Sequence, residues 1–260
     1  MSAANPTPDK YTAESILSIR SWTPKLFSFR TTRFQGFRFV PGQFARLGVR
    51  KGDAVAWRAY SIVSANWDEH LEFYSIVVPG GEFTSELASL RVGDEVLVEK
   101  RAYGLLTTDR FVGGRDLWML STGTGLAPFL SILHDPATWQ RYEHLVLVHG
   151  VRQRDELAYQ DLLAELRGHE LFAEHGHKLR TVQVVTREAV PGALSGRIPQ
   201  LIDDGSLERQ AGLRLDHERA RIMICGNPDM VDDTRELLTS RGFTVSRRAA
   251  PGHVAVENLW

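Results

Sequence analysis

Cysteine is almost missing: Cys225 is the single one in 260 residues. That excludes an internal disulfide framework, a cysteine zinc site and a cysteine-ligated iron–sulfur cluster, so redox chemistry requires a bound organic cofactor or other ligands. Long apolar runs are missing as well. No segment reaches about 18 uninterrupted apolar residues, and Met1 to Lys10 hold no run of signal-peptide length, which predicts a cytoplasmic protein without a membrane span. An excess of one charge is also absent. With 31 Lys plus Arg against 32 Asp plus Glu, a net charge of -1, nothing favours nucleic acid or an acidic membrane surface, and any basic site must be local.

What is present is enough chain for two cores, at roughly 100 to 200 residues per domain. The first half, residues 1–112, carries short alternating or apolar segments: Glu14 to Arg20, Leu26 to Thr32, Gln43 to Val49, Trp57 to Ser64, Leu71 to Val78 and Asp94 to Glu99. Turn signals such as Pro41-Gly42 and Val92-Gly93-Asp94 separate them, and one helix is expected near Glu82 to Leu90. Strands this short and numerous predict an antiparallel barrel. A Gly-Gly loop after Phe111 opens the second half, residues 113–260, where strands (Leu117 to Ser121, Leu145 to His149, Leu179 to Thr186, Arg221 to Cys225) alternate with helices (Leu126 to His134, Glu156 to Arg167, Pro228 to Ser240). Such alternation predicts a parallel sheet covered by helices.

The sharpest motif lies where the first strand of that sheet hands over to a helix: Ser121-Thr122-Gly123-Thr124-Gly125-Leu126-Ala127-Pro128. Its glycines permit a tight turn and close backbone approach, and the helix start offers free N–H donors to a phosphate. The last position departs from G-x-G-x-x-G, and a plain strand–helix turn is the competing reading. The next two strands end in Arg152 and in Thr186-Arg187, and Gly196-Arg197 follows. Three guanidinium groups at neighbouring strand ends would suit a 2′-phosphate and favour NADP(H) over NAD(H); singly, each is a solvated surface arginine, the reading kept for Arg154 and Arg180. In the first half, Arg58-Ala59-Tyr60-Ser61 sets a cation, a ring and a hydroxyl on one strand, a set a flavin could use. Gly80-Gly81-Glu82-Phe83-Thr84-Ser85 opens the lone helix, a second place for phosphate or simply a helix cap.

Together these motifs, in this order and spacing, make the chain resemble the ferredoxin–NADP reductase family over essentially its whole length. Arg58 to Ser61 match R-x-Y-S, Gly80 to Ser85 the second phosphate loop, Gly123 to Pro128 the pattern G-T-G-x-A-P, and Cys225-Gly226 the fourth-strand C-G. The ending Glu257-Asn258-Leu259-Trp260 is similar to the bacterial branch that closes on tryptophan. The resemblance implies an FAD-binding antiparallel Greek-key β-barrel, then an NADP-binding α/β domain with a parallel five-stranded sheet and a C-terminal flavin-contacting tail. It implies electron exchange between NADP(H) and ferredoxin or flavodoxin by a monomer. Carried over by position, Arg58, Ala59, Tyr60, Ser61, Tyr74, Ser75, Ile76, Val77, Gly81, Phe83, Thr84 and Ser85 would hold FAD, with Tyr60 stacked on the flavin. Thr122, Gly123, Thr124, Gly125, Arg152, Thr186, Arg187, Arg197, Cys225 and Gly226 would hold the nicotinamide nucleotide. Ser61 would act near flavin N5, Cys225 beside the nicotinamide, and Glu257 in proton relay. Trp260 would stack on the adenine or the isoalloxazine.

A hydride donor and a one-electron carrier need a flavin between them, and the protein's share is alignment and charge near N5. The carriers are acidic by the same resemblance, which makes Arg50-Lys51, Lys100-Arg101 and Arg247-Arg248 docking candidates. Two rivals share the scaffold: the reductase component of an oxygenase and a flavin reductase. The first often carries an attached ferredoxin domain, and no cysteine cluster exists here to hold one, which favours a separate acceptor. A non-catalytic nucleotide-binding regulator is the reading from another class.

Overall fold

The computed structural model describes residues 6–52, 54–247 and 250–258, and in them the chain divides between two sheets. Strands β1 (Tyr11–Ser21), β2 (Leu26–Thr32), β3 (Phe44–Lys51), β4 (Ala54–Ser61), β5 (His70–Ile76) and, after helix α1 (Glu82–Ser89), β6 (Glu95–Glu99) form a six-stranded antiparallel sheet. Its order, β4-β3-β6-β1-β2-β5, requires Greek-key connections. β1 serves two neighbours: Tyr11 to Ser15 pair with β6, and from Ile16 onward the strand pairs with β2, with a register break between Ile16 and Ser18. Such a break adds local twist, and the outer strands meet in an Ile62–Phe73 bridge that curls the sheet into a barrel. Phe27, Phe29, Leu47, Val49, Phe73, Val96 and Val98 fill the inside. α1 adds Phe83 and Leu87, one helical turn apart and both buried.

The second sheet runs β7 (Asp116–Thr122), β8 (His144–Val151), β9 (Leu179–Val185), β10 (Ala220–Cys225) and β11 (Val254–Glu257), all parallel, in the order β11-β10-β7-β8-β9. Helices α2 (Ala127–Leu133), α3 (Pro136–Arg141) and α4 (Gln160–Gly168) contribute to one buried layer, and α5 (Ile198–Asp203), α6 (Ser206–Ala211) and α7 (Pro228–Ser240) to the other. Alternation divides the strands between them: Leu117, Met119, Leu145 and Leu147 go to the first layer, Trp118, Leu120, Val146 and Val148 to the second. This is why Leu145 to Val148 is apolar without a break. Asp135 and Asn227 cap α3 and α7, their side chains accepting from the N–H groups of Ala137 and Met230.

The first layer also receives Leu26, Val63, Tyr74, Leu106 and Phe111, so one apolar core joins the two sheets. A polar bond reinforces it. The Tyr159 hydroxyl donates to the buried Glu72 carboxylate at 2.9 Å, and Arg30 Nε donates to the same carboxylate at 2.7 Å.

The expected elements are present, with four differences that have local causes. The helix expected from Glu156 begins at Gln160, because Tyr159 sits at φ +61, outside the helical region, where its ring and hydroxyl reach the barrel. Strands β1 and β4 start at Tyr11 and Ala54, each three residues earlier than expected, and β4, paired all along with β3, ends at Ser61 and not at Ser64. Helices α3, α5 and α6, of six residues each, are too short for a periodic signal. The fifth parallel strand is the four-residue β11, beyond Pro251-Gly252.

Candidate active site

Antiparallel pairing sets Tyr60 opposite Ala45 and Ser61 opposite Phe44, so the two side chains leave β4 on opposite faces. Tyr60 turns to the side of Phe73 and Phe83, its ring 5.6 Å from that of Phe83, and its hydroxyl lies 2.9 Å from Ser75 Oγ. Burial pushes the Tyr60 phenol up to about 12, so it stays neutral. The ring is only half-buried, leaving a flat apolar surface at the end of the barrel. Arg58, two residues earlier, is exposed, and among the described residues its guanidinium is in no ion pair and donates only to the Trp57 carbonyl. Ala59 is half-buried beside Arg46.

Ile76 and Val77 are half-buried at the end of β5. Tyr74 points the other way: its ring is buried against Tyr159 in the core between the sheets, 5.3 Å between centroids, and its hydroxyl has no partner. Any contact of Tyr74 with a cofactor on the Tyr60 side is therefore through backbone. At α1, Gly81 occupies the cap position without a side-chain cap, leaving the first N–H groups of the helix for another acceptor. Thr84 Oγ1 is engaged within the loop, accepting from Val78 N at 3.0 Å, whereas Ser85 is exposed.

At the carboxyl ends of the second sheet two loops interlock. A Cβ on Gly125 would lie 2.3 Å from the Cys225 carbonyl oxygen, and one on Gly226, at φ +144, 2.2 Å from Thr122 Oγ1. Thr122 Oγ1 accepts from Asn227 N at 2.9 Å, closing the contact. Gly123, at φ +53, faces open space. The glycines of both motifs thus have a packing reason before any ligand is considered.

The arginines lie farther along the same edge. Arg187 N donates to Arg152 O at 2.9 Å, which ties the ends of β8 and β9 together. Thr186 Oγ1 donates to Val151 O, and a Val184–Leu194 bridge returns the chain so that Arg197 precedes α5 at this edge. All three arginines are exposed, and among the described residues none is in an ion pair. Beside them lies a depression of about 470 Å³ lined by Gln153, Arg154, Asp155 and Glu188.

The two regions meet at Glu257. Strand register places Ser121, Cys225 and Glu257 side by side on β7, β10 and β11. Cys225 is buried, and burial next to the Glu257 carboxylate pushes its thiol well above the ordinary range. Glu257 is itself raised to about 8 by burial, and its Oε2 has no partner among the described residues. Its Oε1 lies where a Cβ on Gly104 would come within 2.6 Å, and the same Cβ would meet Phe44 at 3.0 Å. Phe44 is in turn the register partner of Ser61. Register and contact therefore link Ser61 through Phe44 and Gly104 to Glu257 and, beyond it, Cys225. Gly104 and His149 escaped the sequence reading; a glycine after Tyr103 at a strand exit was the one visible signal. Trp260 and Arg248 lie outside the described residues.

Residues 16–104 match the oxidoreductase FAD-binding domain family, and residues 119–236 the oxidoreductase NAD-binding domain family. The chain is 44% identical to the ferredoxin–NADP reductase of Pseudomonas aeruginosa, over 95% of this chain and 96% of that one. It is a member of the ferredoxin–NADP reductase family. The flavodoxin/ferredoxin–NADP reductase of Escherichia coli is 40% identical over 94% of this chain and 97% of its own. Among solved structures, a ferredoxin–NADP reductase from Neisseria gonorrhoeae with bound FAD and NADP superimposes at a TM-score of 0.90, with 41% identity, over 96% of this chain and 99% of that one.

Proposed function

We propose that the protein is an FAD-dependent reductase that exchanges electrons between NADP(H) and ferredoxin or flavodoxin. The observation that carries this reading is the meeting of two unlike half-sites, one around Tyr60 and Ser61 and one around Cys225, at a single buried carboxylate, Glu257. The groups present fit the cofactors. A half-buried aromatic face, the exposed Arg58 and an uncapped helix start suit an isoalloxazine and a diphosphate, and three exposed arginines in no ion pair among the described residues suit a 2′-phosphate.

When bound, FAD supplies the conversion between hydride and single-electron transfer. The chain's own residues bind and orient. Tyr60, neutral and held by Ser75, offers its ring to the flavin; Arg58, Thr84 and Ser85 with the α1 N–H groups hold the diphosphate. Tyr74, Ser75, Ile76, Val77, Gly81 and Phe83 shape the wall of that cradle. Thr122 to Gly125 and Gly226 line the passage for the nicotinamide, Cys225 packs beside it, and Arg152, Thr186, Arg187 and Arg197 surround the 2′-phosphate. Ser61 would donate to or accept from N5, and Glu257, its carboxyl raised to about 8 by burial, would serve as a proton reserve beside it. The proposed division lies at residues 1–112 and 113–260. Arg101, exposed and with its guanidinium 5.6 Å from the Tyr103 ring, is a basic residue available to meet an acidic carrier. Among the described residues no helix is long and apolar enough to cross a membrane. We further propose that the enzyme acts in the cytoplasm as a monomer.

The test is the visible spectrum of the purified protein, followed anaerobically by stopped flow as NADPH is added, with NADH as control. A yellow protein bleached faster by NADPH, and slowed in Ser61→Ala at unchanged FAD content, is expected. A colourless protein that takes up no FAD refutes the reading.

A further inference from the structure

His149 lies on β8 in register with Ser121, buried beneath the Gly123 turn, and no role has yet been given to it. Its Nε2 lies 3.3 Å from the Gly123 carbonyl oxygen. A carbonyl can only accept, so Nε2 carries the proton and donates. The other ring nitrogen, Nδ1, has no partner among the described residues, which leaves the Gly123 contact as the one hydrogen bond of the ring among them. Burial pushes the imidazole down to about 4, so the ring is neutral, and the tautomer set by the carbonyl persists through the working pH range.

The bond matters because of the peptide unit it holds. In a trans peptide the carbonyl and the N–H point in opposite directions, so a hydrogen bond that fixes Gly123 C=O also aims the N–H of Thr124. That N–H belongs to the opening of a short 3-10 turn, Gly123–Leu126, and is among the donors such a turn leaves without an acceptor. Gly123 has a positive φ and nothing within 4 Å of its Cβ position, whereas Gly125 is packed against the Cys225 backbone, so the Gly123 end of the turn lacks the packing support that Gly125 has. His149 thus adds a side-chain restraint from beneath to a carbonyl that the turn itself engages only through its short i→i+3 bonding.

We propose that His149 is a positioning residue, which pins the Gly123 carbonyl from beneath so that the Thr124 N–H is presented to the bound dinucleotide. The inference rests on the reading of the Gly123 turn as the NADP(H) site. It predicts that the donor at Nε2, rather than the ring or its charge, is what the site requires. Glutamine carries an amide donor to nearly the same reach, and methionine fills a similar volume with none.

The experiment is calorimetric titration of the FAD-loaded protein with NADP+ and, separately, with 2′-AMP, which reaches only the arginine end. In His149→Met, NADP+ affinity is expected to fall about 5- to 10-fold, the loss of one hydrogen bond, while His149→Gln stays within about twofold of the parent. Both variants should bind 2′-AMP as the parent does. Equal NADP+ affinity in His149→Met and the parent, an equal fall in both variants, or a parallel fall for 2′-AMP would overturn the assignment. A parent protein that binds neither ligand would instead overturn the enzyme reading itself, and the assignment with it.

Discussion

Glu257 and Cys225 are register partners on adjacent parallel strands, and burial keeps both uncharged at neutral pH. A carboxyl raised to about 8 in the folded chain ionises near 4.5 once unfolded, so between these values the unfolded state binds fewer protons than the folded one. The stability it contributes is complete below about pH 4.5 and is lost as pH rises through about 8. Glu257→Gln removes this dependence. Denaturant unfolding from pH 5 to 8 should show the parent losing stability relative to the variant, by up to about 1.4 kcal/mol per pH unit. Parallel curves for the two proteins would show that Glu257 titrates normally.

The arginine edge allows a test that separates binding from chemistry. Arg187 and Arg197 are in no described ion pair, so their removal leaves no orphaned partner. In the double variant Arg187→Ala, Arg197→Ala, kcat/KM for NADPH should fall roughly 10- to 100-fold, the scale of one or two charge-assisted hydrogen bonds. Turnover with NADH should be nearly unchanged. Equal losses with both nucleotides would place these arginines elsewhere than at the 2′-phosphate.

Much of this architecture is readable from local pattern. Alternating segments reveal β2 within its true bounds, and Pro228 to Ser240 is a helix as its caps and periodicity indicate. The Arg58 to Ser61 and Gly123 to Pro128 motifs are contiguous, so their residues announce themselves together. The junction does not, because it is made by register and not by sequence: Glu257, Gly104, Phe44 and Ser61 come from four separate segments that only the folded sheets bring into contact. β11 reads as a loose tail until β10 provides its hydrogen-bonding edge. His149 reads as one more residue of a buried strand, because its partner is a backbone carbonyl that no side-chain pattern reports.

The glycines of the turn are predicted to rank by what surrounds them. At Gly125 a Cβ would sit 2.3 Å from a backbone carbonyl of β10, whose position is fixed by pairing with both β7 and β11. Neither backbone can yield without breaking that pairing, so Gly125→Ala should cost about 2–3 kcal/mol, as overpacking in a rigid setting does. At Gly123 the space is open and only the positive φ opposes a side chain, so Gly123→Ala should cost about 1 kcal/mol. Denaturation midpoints of the two variants, measured with FAD bound, decide the order. A Gly125→Ala protein as stable as Gly123→Ala would mean that the contact between the Gly123 turn and the Cys225-Gly226 loop is looser than these distances require.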